Sequence, residues 1–230
     1  IAHENRQSGK SFGNIAWGNL MIPTKICGIT NLVDAKVAVE NGASAIGFIF
    51  YEKSPRAISI ENAKSISKQL SYSVGRVGVF VNQNKDFIDK TISEVQLNMI
   101  QLHGDESSNF CNQFEVPVFK AVRIKNEASL SVMDQYNVAG FLLDTFSNKQ
   151  YGGTGETFDW SLINEQIDTP IILSGGLNPD NILDAIDSVN PAAIDVNSGV
   201  ELSPGKKDHQ KINLLFENLK NTNTSGFHFG

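Results

Sequence analysis

A chain of 230 residues and 25.1 kDa is long enough to bury one sizeable core without dividing. Its 19 basic and 25 acidic residues give a formal net charge of −6, which argues against a nucleic-acid partner, and a mean hydropathy of −0.17 with no apolar run of about 18 residues argues against a membrane one. Two cysteines, Cys27 and Cys111, exclude a disulfide framework, offer no metal-ligand spacing and point to a reducing, cytoplasmic setting.

Residues 1–20 are polar, lack the apolar core of a secretory signal and read as an appended or processed tail. From Thr24 onward short apolar runs alternate with amphipathic ones. The run 24–29 (TKICGI) precedes a helix over about 32–40, 45–50 (AIGFIF) a helix over 60–69, and 77–81 (VGVFV) a helix near 85–92. Next, 99–103 (MIQLH) leads to a helix near 106–113, and 117–123 (PVFKAVR) to one near 128–135. The strand 141–144 (FLLD) opens into a glycine-rich loop and then 159–163 (DWSLI). The run 170–174 (PIILS) precedes a helix capped by Asn178 with Pro179 at its first position, and 192–196 (AAIDV) precedes the last helix, near 207–219. Residues 221–230 read as a second tail.

Eight β-then-α units result, with strands nearly continuous in apolar residues, as expected where both faces are covered. The pattern predicts a single-domain closed (β/α)8 TIM barrel over 21–220, in preference to an open doubly wound sheet. Its site would then lie at the carboxyl ends of the strands, which selects Cys27, His103, Arg123, Asp144 and Asp195, with Arg56 in the second loop. Two loops suit phosphate: SGGLN (174–178), with Gly175 and Gly176, and NSG (197–199), with Ser198 and Gly199. A third glycine-rich stretch, 151–155, would cover or extend them. Alone, each cluster is ordinary turn geometry; two at the seventh and eighth loops favour a sugar-phosphate ligand.

The segments KICGIT (25–30), GFIFYEKSPR (47–56), QLHGDE (101–106), LLDT (142–145), GGTGETFDW (152–160), LSGGLNPDNI (173–182) and DVNSGVELSPGKKD (195–208) resemble the phosphoribosylanthranilate isomerase family. The resemblance spans about 22–220 and implies a TIM barrel that needs no cofactor or metal and acts on a small phosphorylated substrate in tryptophan biosynthesis. It implies an Amadori rearrangement of N-(5'-phosphoribosyl)anthranilate to 1-(2-carboxyphenylamino)-1-deoxyribulose 5-phosphate. Cys27 would be the general base, Asp144 the general acid, and Arg56 the contact to the anthranilate carboxylate. Asn197 departs from the family pattern, where serine is usual, and implies altered detail at the phosphate loop.

Plainer readings stand beside these. A strand cysteine is commonly a small core residue, and Asp144 could cap a turn. His103 could orient its loop, Asp195 could be the acid or order the eighth loop, and Cys111 reads as inert. A thiolate at Cys27 needs an electropositive surround, for which Lys25 is placed. Rival functions are another phosphosugar barrel, such as indole-glycerol phosphate synthase, and a non-catalytic sugar-phosphate-binding barrel. The former would need a catalytic Lys with Glu partners, and Asp144 stands in the sixth strand instead. Monomer and homodimer remain equally open, and side activity on the histidine-pathway aminoaldose has no marker in the sequence.

Overall fold

A computed structural model describes residues 21–145, 157–163, 167–220, 222 and 227–229. Residues 1–20, the 151–155 loop and most of 221–230 lie outside them. Eight parallel strands close into a barrel in chain order: β1 (Thr24–Ile26), β2 (Ala45–Ile49), β3 (Gly75–Phe80), β4 (Met99–Leu102), β5 (Val118–Ile124), β6 (Gly140–Thr145), β7 (Ile171–Leu173) and β8 (Ala193–Val196). Ring closure is made by β1 against β8, with Lys25 opposite Asp195. The expected TIM barrel is therefore what the chain forms.

Side chains alternate across each strand. In β2, Ile46 and Phe48 pack outward beneath the helices, whereas Ala45 and Ile49 face inward. Six helices form the outer layer among the described residues: α1 (Leu32–Asn41), α2 (Ile60–Ser67), α3 (Lys85–Val95), α4 (Ser108–Cys111), α5 (Ile182–Val189) and α6 (His209–Leu219). Five of these six starts are written locally. Asn31, Ser59, Asn84, Ser107 and Asp208 accept hydrogen bonds from backbone N–H groups of the first turn that have no partner within the helix. Among the described residues, no helix is long and apolar enough to cross a membrane.

Several local expectations are corrected. Instead of one helix over 128–135, two 3-10 turns form, Glu127–Ser129 and Met133–Gln135. There Ser129 Oγ accepts from the N–H groups of Lys125 and Asn126, and Ser131 Oγ donates to the Ala128 carbonyl, so side chains compete with the helical ladder. The helix expected over 106–113 is only α4, because Glu106 turns inward to accept from the N–H groups of Asn82 and Gly104. Asn178 does not cap α5. It accepts from Asp180 N–H in a turn, and Asn181 holds the N-cap position, so Pro179 precedes the helix. Residues 201–207 form an unforeseen hairpin, β9 (Glu201–Ser203) with β10 (Lys206–Lys207), before α6 begins.

Candidate active site

Most inward positions of the barrel are apolar, but β1, β4 and β8 contribute Lys25, Gln101 and Asp195 to its middle. Lys25 is 1% exposed; its Nζ lies 2.7 Å from Asp195 Oδ1 and donates to Gln101 Oε1 at 3.1 Å. Burial disfavours the ammonium, yet Asp195 and the neighbouring Cys27 outweigh it and hold the Lys25 pKa above its usual value. An ammonium can only donate, so the Gln101 amide must present its oxygen to Lys25 and its NH2 to His103 Nδ1, 2.7 Å away. His103 Nδ1 is then an acceptor, and in the neutral ring the proton sits on Nε2. That nitrogen lies 3.3 Å from Asp144 Oδ2. A run of polar contacts thus crosses the barrel from Asp195 to Asp144.

Cys27 immediately follows β1 and is 4% exposed. Burial pushes its thiol above the ordinary value; Lys25 opposes this by charge and hydrogen bond, and Asp195 reinforces it. The electropositive neighbour expected from the sequence is present, but desolvation prevails. Asp144, in β6, is separated from Cys27 around the ring by β7 and β8. Its Oδ1 accepts from the N–H of Thr145 at 2.8 Å. Acid and base candidates therefore stand on different sides of one mouth.

Arg56 is buried and bonded to Glu201: Nε donates to both carboxylate oxygens at 3.0 Å, and Nη2 to Oε2 at 2.8 Å. Glu201 also accepts from Lys207 Nζ at 3.1 Å. Burial raises the Glu201 carboxyl, but Arg56 and Lys207 overcome it and hold the group below the carboxylate range. Lys207 is itself depressed by burial, against the pull of Glu201. Its ammonium also donates to Asn197 Oδ1 at 2.9 Å and to the Asn197 carbonyl at 3.1 Å. Asn197 is thus anchored from the β9–β10 hairpin.

The two glycine-bearing loops meet in one cavity of about 470 Å³, whose lining includes Gly176, Asn178, Asp180, Ser198, Gly199 and Lys211. Gly175 and Gly176 both have positive φ, +88° and +65°, a backbone conformation that glycine adopts without strain. Gly175 is also a point of close approach: a Cβ there would lie 2.4 Å from Thr145 Oγ1 and 3.0 Å from Asp144 Oδ1. At Gly199 a Cβ would fall 1.9 Å from the Leu177 carbonyl oxygen. Both loops therefore need glycine to come together beside the acid.

Of the residues selected from the sequence, Cys27, His103, Asp144 and Asp195 join one network, Gly176, Ser198 and Gly199 line one cavity, and Gly175 packs against Asp144 and Thr145. Arg123 instead stands with Asp105 on the rim of β4 and β5, at 2.8 Å. Asp195 pairs with Lys25 deep in the barrel. Sequence reasoning passed over Gln101, Glu201, Lys207 and Lys211. Gln101 was within reach, since it lies two residues before His103 and must share its inward face. Among the described residues, no group of His, Cys, Asp and Glu is arranged to hold a metal ion.

Residues 24–218 match the family model described as N-(5'phosphoribosyl)anthranilate (PRA) isomerase. The N-(5'-phosphoribosyl)anthranilate isomerase of Thermotoga petrophila is 51% identical over 204 residues, covering 87% of this chain and 99% of its own. That of Geotalea uraniireducens is 47% identical over 201 residues, with the same coverage. The crystal structure of the Thermotoga maritima enzyme superposes with a TM-score of 0.81 at 47% identity, covering 88% of this chain and 100% of its own. A structure of such an enzyme in complex with reduced 1-(o-carboxyphenylamino)-1-deoxyribulose 5-phosphate gives 0.78 at 46% identity, with the same coverage.

Proposed function

The chain belongs to the N-(5'-phosphoribosyl)anthranilate isomerase family, and on that footing we propose that Cys27 and Asp144 carry its Amadori rearrangement as general base and general acid. As an isomerase of tryptophan biosynthesis it converts N-(5'-phosphoribosyl)anthranilate to 1-(2-carboxyphenylamino)-1-deoxyribulose 5-phosphate.

The reaction needs a proton delivered to the furanose ring oxygen while the anthranilate nitrogen pushes electrons in. Asp144, in its protonated form, gives that proton; the C1'–O bond breaks and an iminium forms. Cys27, as thiolate, then removes the C2' proton, leaving an enolamine. That intermediate gains a proton at C1' as its 2'-hydroxyl loses one, which yields the ketone. The two steps need their proton carriers on different sides of one sugar, and β1 and β6 supply that separation.

His103 acts as a positioning residue, its Nε2–H facing the carboxylate that Asp144 becomes after giving up its proton. Arg56 meets the anthranilate carboxylate with the guanidinium edge that Glu201 leaves open. Gly175, Gly176, Ser198 and Gly199 receive the phosphate on backbone N–H groups, with the Lys211 side chain lining the same cavity. A phosphate held in this way explains how a chain of net charge −6 can take an anionic substrate. The site comes from one chain, so a monomer and a homodimer serve it equally, and the two unpaired buried cysteines suit the cytoplasm.

The observation that carries this reading is the run Asp195–Lys25–Gln101–His103–Asp144, which ends at the acid and passes Cys27 at Lys25. Its test is a fluorescence assay of phosphoribosylanthranilate consumption by Cys27→Ala and Asp144→Asn. Each should lose about 10²-fold or more in kcat; near-normal turnover by either would remove that residue from its role.

A further inference from the structure

The far end of the barrel, opposite the site, is where the chain departs from its family. The family match ends at residue 218, yet Phe229, eleven residues on, is 3% exposed. It joins the apolar layer formed by inward residues near the starts of the strands, among them Ala45, Val77, Met99, Phe119, Leu142 and Ala193. Phe119 receives both tail rings: Phe229 edge-on at 6.1 Å and Phe227 tilted at 6.0 Å, while the two tail rings meet at 5.0 Å, nearly perpendicular. These are separations and angles that aromatic quadrupoles favour. The backbone takes part as well. A Cβ on Gly75, at the start of β3, would lie 2.5 Å from the Phe229 carbonyl oxygen and 2.7 Å from its Cβ, so the missing side chain leaves the space in which the tail sits. Three positions of the layer, Ala45, Ala121 and Ala193, carry only a methyl group beside the larger side chains.

We propose that the bottom of this barrel is a docking surface for an aromatic Phe-X-Phe segment, and that the chain's own residues Phe227–Phe229 occupy it as an intramolecular stopper. The alternation of a buried ring, a side chain pointing elsewhere and a second ring is what an extended segment presents on one face. Here the His228 position separates the two phenylalanines. The stopper covers apolar surface that would otherwise meet water, near the starts of the strands, whereas the residues assigned to catalysis stand at the other ends.

The test uses the full chain, a chain ending at Thr222, and the point variants Phe229→Ser and Phe227→Ser. Truncation should lower Tm by roughly 5–10 °C, as expected from losing a buried aromatic pair in a domain of this size. It should also create binding of an apolar dye such as ANS while leaving kcat within about twofold. Phe229→Ser should reproduce most of that Tm loss and Phe227→Ser less. A peptide of residues 223–230, added to the truncated chain, should restore Tm and displace the dye; the same peptide with both phenylalanines replaced by serine should not. Unchanged Tm and dye binding on truncation would overturn the proposal. So would a full chain whose Tm rises with protein concentration and which elutes as a dimer, when the truncated chain does neither, because the tail would then be seated in a second copy.

Discussion

His103 Nε2 lies 3.3 Å from Asp144 Oδ2, close but without a formed hydrogen bond, while its Nδ1 is held by Gln101, so one ring nitrogen is bound to the barrel interior and the other is left facing the acid. The tautomer is chosen at a distance: Lys25 fixes which end of the Gln101 amide faces the imidazole. Gln101→Met should free the ring to take either tautomer. The expected result is a kcat lower by about tenfold, the worth of roughly one hydrogen bond, with KM little changed. Steady-state kinetics together with nitrogen-15 shifts of the imidazole check it; an unaltered tautomer and rate would refute the link.

Activity should climb with pH as the Cys27 thiol ionises, for as long as Asp144 keeps the proton it must give. Burial raises the Cys27 thiol above its ordinary value, so near neutrality little of it is the thiolate that takes the carbon proton, and the fraction grows as pH rises. Lys25 is the cation that opposes this shift. Lys25→Met should therefore move the rising limb of kcat/KM to still higher pH and lower the rate at pH 8 by roughly tenfold or more. A limb that stays in place, or moves to lower pH, would contradict the assignment of Cys27 as base.

Glu201 ties Arg56 to Lys207, and its carboxyl is held below the usual range. A carboxyl depressed in the folded state adds stability that is complete above its unfolded pKa, about 4.3, and is lost as pH falls through the folded value. Glu201→Gln should cost on the order of 3 kcal/mol at pH 7, because two buried cations lose their anion, and the deficit should shrink in acid. Urea denaturation at pH 7 and at about pH 3, well below the unfolded carboxyl value, measures both. The same variant should raise KM, since Arg56 loses the partner that aims it.

Gly199→Ala places a methyl group where the Leu177 carbonyl oxygen already stands, 1.9 Å away, so the seventh and eighth loops must part. Substrate KM and the inhibition constant for inorganic phosphate should both rise by about tenfold or more, while far-ultraviolet circular dichroism stays that of the parent. Unchanged phosphate inhibition would take the anion away from this cavity.

A milder change is available at the eighth loop. Asn197→Ser removes the side-chain acceptor that Lys207 uses at 2.9 Å but leaves the bonds to the Asn197 carbonyl and to Glu201. Stability should fall by about 1 kcal/mol and kcat should stay within threefold. A larger loss of kcat would mean that Asn197 touches the substrate directly.

The eight strands could be read directly because a strand covered on both faces writes a nearly unbroken apolar run, as AIGFIF and VGVFV do, and helix starts carry their caps in adjacent residues. Strand ends then selected Cys27, His103 and Asp144 without any knowledge of contacts. Local chemistry failed where side chains compete for the backbone: Ser129 and Ser131 break the expected fifth helix, and the Asn178–Asn181 turn delays the start of α5.

What the sequence by itself determined is therefore the barrel and the address of its site, since both follow from periodicities and caps within a few residues. What only the tertiary structure decided are pairings across long stretches of chain. Lys25 meets Asp195, Arg56 meets Glu201, and Phe119 meets Phe229. Each joins residues that become neighbours only when β1 closes on β8 or when chain beyond α6 returns beneath the barrel, and a charge or a ring carries no mark of its partner until that closure is made.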